Sequence, residues 1–379
     1  MRSWVIDLLK FLGAQCIVIH HLMAHGPMAD VLEREYPNAV DAIFTYSRLA
    51  VQMFLVIAGF LAAKSLMRAR ATHLGDLLMK RYLRLAPFYV LSLLICVLVV
   101  GALGGVVDQD WVRDPVSGTQ ILAHALMLQG VLHVPSISAG VWYVAIDFQL
   151  FAVVAVLAYI CGNAGAGRIK ITALLLWVLA AMCVSSLWIF NQFELFDDWA
   201  IYFMGAYGLG LLAAFASQFN NTRPLFFAVW LLGLASLALS WRLRMVVALI
   251  CALLLFLYAD HSGQALGRVF KRVLAQLGSA AYATFLSHFA LVVVFSAIWN
   301  AAHLQGLVWA VSMVVLCWLT ATAWGWVLHR LVEPTLNRCI LDIQSWWTRL
   351  GRAQLSICVT QQLTAWCGGF GALALALAS

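Results

Sequence analysis

Ten residues separate Lys10 from His21 inside an apolar stretch, residues 3–23, that otherwise reads as a plain transmembrane helix. At about 100° per residue, eleven steps make three turns plus roughly 20°, so a helix carries both groups on one face, about 16 Å apart along its axis. Asp7 precedes Lys10 by one turn on nearly the same stripe. Together these side chains can hold a proton, release it and steady a developing charge. Charged groups cost about 2.5–3.5 kcal/mol each at mid-bilayer and usually turn toward a bundle interior or a wet cavity. The structural alternative is an Asp7–Lys10 pair at i, i+3 spacing, or snorkelling of both groups at the helix entrance and of His21 at the exit.

The elements that must position them are membrane helices. The chain has 379 residues, of which 64% are hydrophobic and 10% charged, and its mean hydropathy is +0.93. A soluble domain carries about 25% charged residues. The net charge of +7 sits in short gaps between apolar runs, which is membrane topology and gives no reason to expect nucleic acid as a partner. Asp7 and Lys10 interrupt the first apolar run, so it does not read as a cleavable signal. The nine cysteines form no CxxC pair or zinc-type cluster and read as small buried hydrophobes, with no metal implied.

Apolar stretches long enough to cross a bilayer fall at 4–23, 44–66, 83–104, 139–161, 171–190, 198–216, 224–240, 243–259, 275–299 and 306–331. The expected fold is an all-α, polytopic membrane helix bundle of about ten spans. The seventh and eighth are parted only by SWRLR, and an apolar tail at about 355–378 is an eleventh span or an interfacial helix. Residues 1–338 form the expected transmembrane domain and 339–379 a C-terminal segment. Basic and acidic gaps alternate, which predicts a cytoplasmic N-terminus, with Arg242 and Arg244 the one violation. The longest outer segment runs from 103 to 138, and its HVPSISAG end could re-enter and line a site.

Four further segments put polar groups in apolar surroundings: RLAVQMFLVIAGFLAAKSL with Gln52 and Gly59, KRYLRLAPFYV with Arg81 and Arg84 before Pro87, AGVWYVAIDFQLFAVV with Asp147 and Gln149, and LAQLGSAAYATFLSHFALVV with His288. With DLLKFLGAQCIVIHH, and in this order, they resemble the acyltransferase 3 family of integral-membrane O-acyltransferases. Asp7, Lys10 and His21 fill that family's first-span pattern, in which some branches have Lys for the more usual Arg. FLVIAGF is similar to FFxxSGF, with Ala58 in the Ser place. Lys80, Arg81, Arg84 and Pro87 match RRxxRxxP. Trp142 and Asp147 match WxLxxE, one methylene short at the acid. Leu277, Gly278, Tyr282, Phe285, Leu286 and His288 match LGxxSYxxYLxH, with Ala281 for the Ser, and VEP closes the set at 332–334.

The resemblance implies a multi-pass protein of the bacterial inner membrane that moves an acyl group from cytoplasmic acyl-CoA to a hydroxyl of an envelope or exopolysaccharide glycan. Acetyl-CoA is the first choice of donor; a longer acyl group such as succinyl stays open. A lipid-linked saccharide is an equivalent acceptor, and polysaccharide-synthesis machinery a fitting partner. His21 is then the general base, with an unperturbed imidazole titrating near about 6.5; His20 points about 100° away and serves packing. Lys10, set by Asp7, holds the thioester end or the pantetheine arm of the donor. Arg81, Arg84, Lys80 and Arg68, with Arg70 nearby, grip the CoA phosphates, because guanidinium forks match phosphate oxygens. The alternative for these cations is the ordinary basic loop of a cytoplasmic gap. Asp147 pairs with Arg81, Arg84 or Lys10, a choice the sequence leaves open. Trp142, His288 and Tyr282 are candidate lining residues, though a lone buried His is as often a hydrogen-bonded core group.

Two other classes fit intramembrane charges. A transporter or flippase of a lipid-linked sugar would use them without chemistry, but no inverted repeat or pair of broken helices is legible. A sensor or scaffold built on the same fold would tolerate loss of His21.

Overall fold

The computed structural model describes residues 3–68, 74–107, 116–161, 171–196, 198–261, 267–336 and 338–343. Among them every regular element is helical. In chain order these are α1 (Trp4–Ala24), α2 (Pro27–Glu35), α3 (Pro37–Ser47), α4 (Ala50–Arg68), α5 (Leu74–Leu103), α6 (Gly118–Ala125), α7 (Val141–Cys161), α8 (Ala173–Trp188), α9 (Ala200–Gln218), α10 (Arg223–Leu239), α11 (Leu243–Tyr258), α12 (Arg268–Ala301) and α13 (Leu307–Leu331), with short 3-10 turns between some of them. Nine helical stretches among the described residues are long and apolar enough to cross a membrane, and α11, at 16 residues, is a shorter apolar helix. The protein is an all-α polytopic bundle.

The seventh and eighth apolar stretches are separate helices, α10 and α11, parted by residues 240–242. The second expected span begins earlier than its hydropathy indicates: α3 starts on Pro37, whose missing N–H is harmless at a first turn, and a break at residues 48–49 separates it from α4. That break sets Arg48 between two helices. The ends of α5 and α12 also reach beyond the apolar windows, to 30 and 34 residues. Local signals place the smaller elements. Ser117 and Gln120 form a reciprocal capping box at the start of α6, and Thr172 caps α8 by accepting from Leu175 N–H. The chain divides after Val332 into a bundle and a second unit, Glu333–Ser379. The apolar tail at 355–378 lies outside the described residues.

Close helix crossings hold the bundle together. α1 packs on α12 and α4, α12 on α13 and α5, and α9 on α4, α8 and α11. In lipid the drive for such contacts is van der Waals packing, which small residues improve by letting backbones approach. Gly59 of α4 lies against the Tyr207 carbonyl of α9, and Gly210 of α9 against the Val56 carbonyl of α4, a reciprocal pair. A Cβ on Gly278 of α12 would come within 2.6 Å of the Asp7 main chain. The first-span motif and the motif around His288 are thus in direct contact, through a glycine that brings the Asp7 turn of α1 onto α12.

Candidate active site

The C-terminal half of α1, the N-terminal ends of α4, α7, α9 and α11, and residues 129–136 meet around a cavity of about 960 Å³. His21 and Trp142 stand in its wall, with His20, Gln52, Gln149, Tyr143 and Phe285. Tyr143 and Phe285 pack on each other and on Phe54, the three ring centroids lying 5.5–5.7 Å apart. The end of the HVPSISAG segment contributes His133, Val134, Pro135, Ser136 and Gly140 to the same cavity.

His21 is held among three other imidazoles. Its ring centroid is 4.9 Å from His20, 5.7 Å from His25 and 5.2 Å from His288, the last stacked at 26°. Its Nδ1 is buried with no hydrogen-bond partner, and its Nε2 is 3.8 Å from where a Cβ on Gly140 would stand. Gly140 has φ +83°, in the region that favours glycine, and the missing side chain keeps that flank of His21 open. His20 is fixed otherwise: its Nδ1 bonds the Phe44 carbonyl at 2.8 Å and its ring stacks on Phe44 at 4.4 Å.

His288 is wholly buried. Its Nδ1 lies 2.7 Å from the Phe285 carbonyl; a carbonyl only accepts, so Nδ1 carries the hydrogen and Nε2 the lone pair. That Nε2 has no partner. His288 and Tyr282, expected among the lining residues, lie outside the cavity wall. His288 backs the His21 ring, and Tyr282 donates its hydroxyl to the Leu85 carbonyl at 3.2 Å. The residue of α12 that reaches the cavity is Phe285.

Of the three alternatives for Asp147, the structure has Arg81. Arg81 Nη2 donates to both carboxylate oxygens at 2.6 Å, and the side chains are 10% and 7% exposed. The guanidinium carbon lies 5.1 Å from the Phe151 ring centroid. Arg81 is therefore committed inside the bundle, whereas it was expected beside Arg84 in a phosphate grip. The position explains the difference: α5 begins at Leu74, so Arg81 falls two turns into the helix on the side packed against α7. Lys80, Arg84 and Arg68 are exposed, as are Arg268 and Arg272; Arg70 lies outside the described residues. Asp7 is buried beneath Gly278, and Lys10 is part-buried on α1; neither lines the cavity. No group of three or more His, Cys, Asp or Glu suited to a metal ion occurs among the described residues.

Sequence reasoning missed Arg48, Tyr143 and Phe203 as cavity residues, and it noted Arg242 and Arg244 only as a topological exception. That exception was the available signal for the last two.

A part-buried imidazole facing a large cavity in a helical membrane bundle is an arrangement suited to proton transfer on a bound substrate. The family comparison agrees: residues 4–329 match the model of the acyltransferase 3 family, described as an acyltransferase domain. The chain belongs to that family. A curated relative, Regulator of hypoxia-inducible factor 1 from Caenorhabditis elegans, is 27% identical over 168 residues, 39% of this chain and 32% of that protein. The chain thus spans about a third of that relative's length. No solved structure matches the chain.

Proposed function

We propose that the protein is an O-acyltransferase that moves an acyl group, acetyl by first choice, from cytoplasmic acyl-CoA to a hydroxyl of an envelope or exopolysaccharide glycan. The setting this acceptor implies is a bacterial inner membrane, with the N-terminus cytoplasmic and the His21 cavity open toward the outer side. The observation that carries the reading is His21 itself, in the wall of a cavity of about 960 Å³, backed by His288 and flanked by a residue with no side chain.

In this reading His21 Nε2 takes the acceptor hydroxyl proton as the oxygen attacks the thioester carbonyl. The O–C bond forms, the C–S bond breaks, and the CoA thiolate leaves and takes up a proton. General base catalysis of this kind contributes typically about 10²–10⁴-fold. Lys10, about three turns away toward the start of α1, holds the donor's thioester arm, and Asp7 sets its position. Arg84, Lys80 and Arg68 grip the CoA phosphates, while Arg81 and Asp147 brace α5 against α7 beside the donor path. Trp142 offers an indole face to the sugar ring. The transmembrane domain ends near residue 338, and the remainder is a separate C-terminal segment.

The test is transfer of label from radiolabelled acetyl-CoA to envelope glycan in inverted membrane vesicles, comparing wild type with His21→Ala at matched expression. Base-labile label with wild type alone supports both the reaction and the base. Equal label from both removes His21 from the chemistry. Movement of unmodified glycan without CoA would replace the enzyme reading by transport.

A further inference from the structure

Arg242 and Arg244 break the alternation of basic and acidic gaps, so topology gives no reason for them. In the fold both line the His21 cavity, together with Arg48. Among the described lining residues the one carboxylate near Arg48 and Arg242 is Asp198, which itself lies 3.8 Å from His133. Arg242 is held by neutral acceptors: it donates to the Gln192 carbonyl, and its Nε donates to Ser240 Oγ at 3.2 Å. A guanidinium anchored this way keeps its full charge and has N–H donors to spare. Arg244 stacks over the Tyr202 ring at 4.7 Å and donates to the Asn191 carbonyl at 3.0 Å, which fixes its direction.

Helix ends contribute as well: four helices, α4, α7, α9 and α11, start at the cavity, while α1 brings its C-terminal half and α3 and α10 end beside it at Thr45 and Ser240. Helix N-termini carry the positive end of the macrodipole and free N–H groups. Trp241 and Trp142 stand in the same wall, so ring-shaped apolar faces and positive charge occur together.

The geometry points to an oxyanion-binding subsite at Arg48 and Arg242, which makes the acceptor a negatively charged saccharide. The inference rests on the reading of this cavity as the acceptor site. One chemistry, an oxyanion fixed to the glycan, has two sources: a carboxylate on the sugar or the pyrophosphate of a lipid carrier. Arginine forks suit both bidentately. Anchoring the anion at the arginines leaves the neutral hydroxyls of the same sugar to approach His21, so the subsite sets which hydroxyl is acylated.

The test is equilibrium binding of radiolabelled saccharides to the full-length protein in nanodiscs. One pair is a glucuronate-containing oligosaccharide and its carboxyl-reduced twin. The other is a neutral oligosaccharide on polyprenyl pyrophosphate and the same sugar on a neutral polyprenyl ether. The expected result is that one anionic probe binds about tenfold tighter than its twin, a difference of about 1.4 kcal/mol. Rising salt should shrink that advantage, and Arg48→Gln/Arg242→Gln should erase it. The first pair responding places the anion on the sugar; the second places it on the lipid. Discrimination in neither pair, or discrimination that survives in the double variant, overturns the subsite. The wild-type contrast and its salt response decide the matter even where the variant folds poorly. Charge-selective binding without acyl transfer would sink the enzyme reading and keep the subsite; transfer without charge selectivity would do the reverse.

Discussion

Arg81 of α5 and Asp147 of α7 form a buried pair in which one guanidinium nitrogen donates to both carboxylate oxygens at 2.6 Å. The pair joins two motifs separated by 66 residues and accounts for a carboxylate within a span: neither ion is left alone in a low dielectric. Removing one member strands the other, which typically costs about 3–5 kcal/mol, while replacing both with apolar groups of similar size is often close to neutral. Asp147→Asn and Arg81→Gln should therefore each lower the detergent melting temperature strongly, and Arg81→Met/Asp147→Leu should recover most of the loss. A double variant no more stable than the singles would mean that the pair is not what braces α5 against α7.

Gly278 makes a second prediction. Its Cβ position lies 2.6 Å from both Asp7 Cα and Asp7 O, atoms of a helix backbone that cannot rotate away. Gly278→Ala forces α1 and α12 apart and should cost about 1–3 kcal/mol, the usual range for overpacking. Because α1 carries both Lys10 and His21, activity should fall more than stability. Thermal unfolding and label transfer measured on the same preparation check both halves.

Much of this fold is legible as hydropathy, because a bilayer demands about 20 apolar residues per helical crossing and leaves few alternatives. The ten stretches map onto the described helices, even at α10 and α11, where only SWRLR intervenes. The break at Arg48 and Leu49 is not legible, since nothing in Thr45–Tyr46–Ser47 forbids a helix and tertiary packing decides it. The site is legible in its residue types and only partly in their partners. His21, Trp142, Gln52 and Gln149 reach one cavity, as spans with polar interiors should. His288 and Tyr282 share their helix with Phe285 at three-residue spacing, each turned about 60° from it around the axis, and that turn decides which of them meets the cavity. Arg81 reads like its basic neighbours because pairing across 66 residues leaves no local mark. Arg242 and Arg244 are visible only as a broken topological rule.

His124, outside the spans, should give the cavity wall a pH dependence. Its Nδ1–H donates to the Gln120 carbonyl at 2.8 Å, and its Nε2 accepts the Ile137 N–H at 3.2 Å. Burial holds its pKa below the ordinary 6.5, against a smaller raising effect from the Gln120 bond. The unfolded chain thus takes up the proton first as pH falls. The stabilisation is complete above about pH 6.5 and is lost on acidification from there toward the lowered folded-state value. Protonation removes the acceptor for Ile137, next to residues 133–136 of the cavity wall. Exchange at the Ile137 amide, corrected for intrinsic rate, should rise between about pH 7.5 and pH 5.5, and His124→Ala should abolish that dependence. A flat profile in wild type would deny His124 this role.

Gly140 separates catalysis from folding most cleanly. It sits at φ +83°, where an L side chain is strained by about 1–2 kcal/mol. A Cβ there would stand 3.3 Å from the Phe285 ring and 3.8 Å from His21 Nε2. Phe285 can yield by a few tenths of an ångström, so Gly140→Ala should still insert and fold, with a modest drop in melting temperature. In the proposed reaction, however, the methyl group occupies the flank from which the acceptor hydroxyl would reach the imidazole. Misplacement by about 1 Å can cost on the order of 10²-fold in rate, so kcat should fall far more than stability, with His20, Trp142 and the arginines left in place to bind. Measuring acceptor KM and kcat separately distinguishes the outcomes. A loss confined to KM would show that Gly140 merely widens the cavity, and an unchanged kcat would remove His21 Nε2 as the atom that receives the proton.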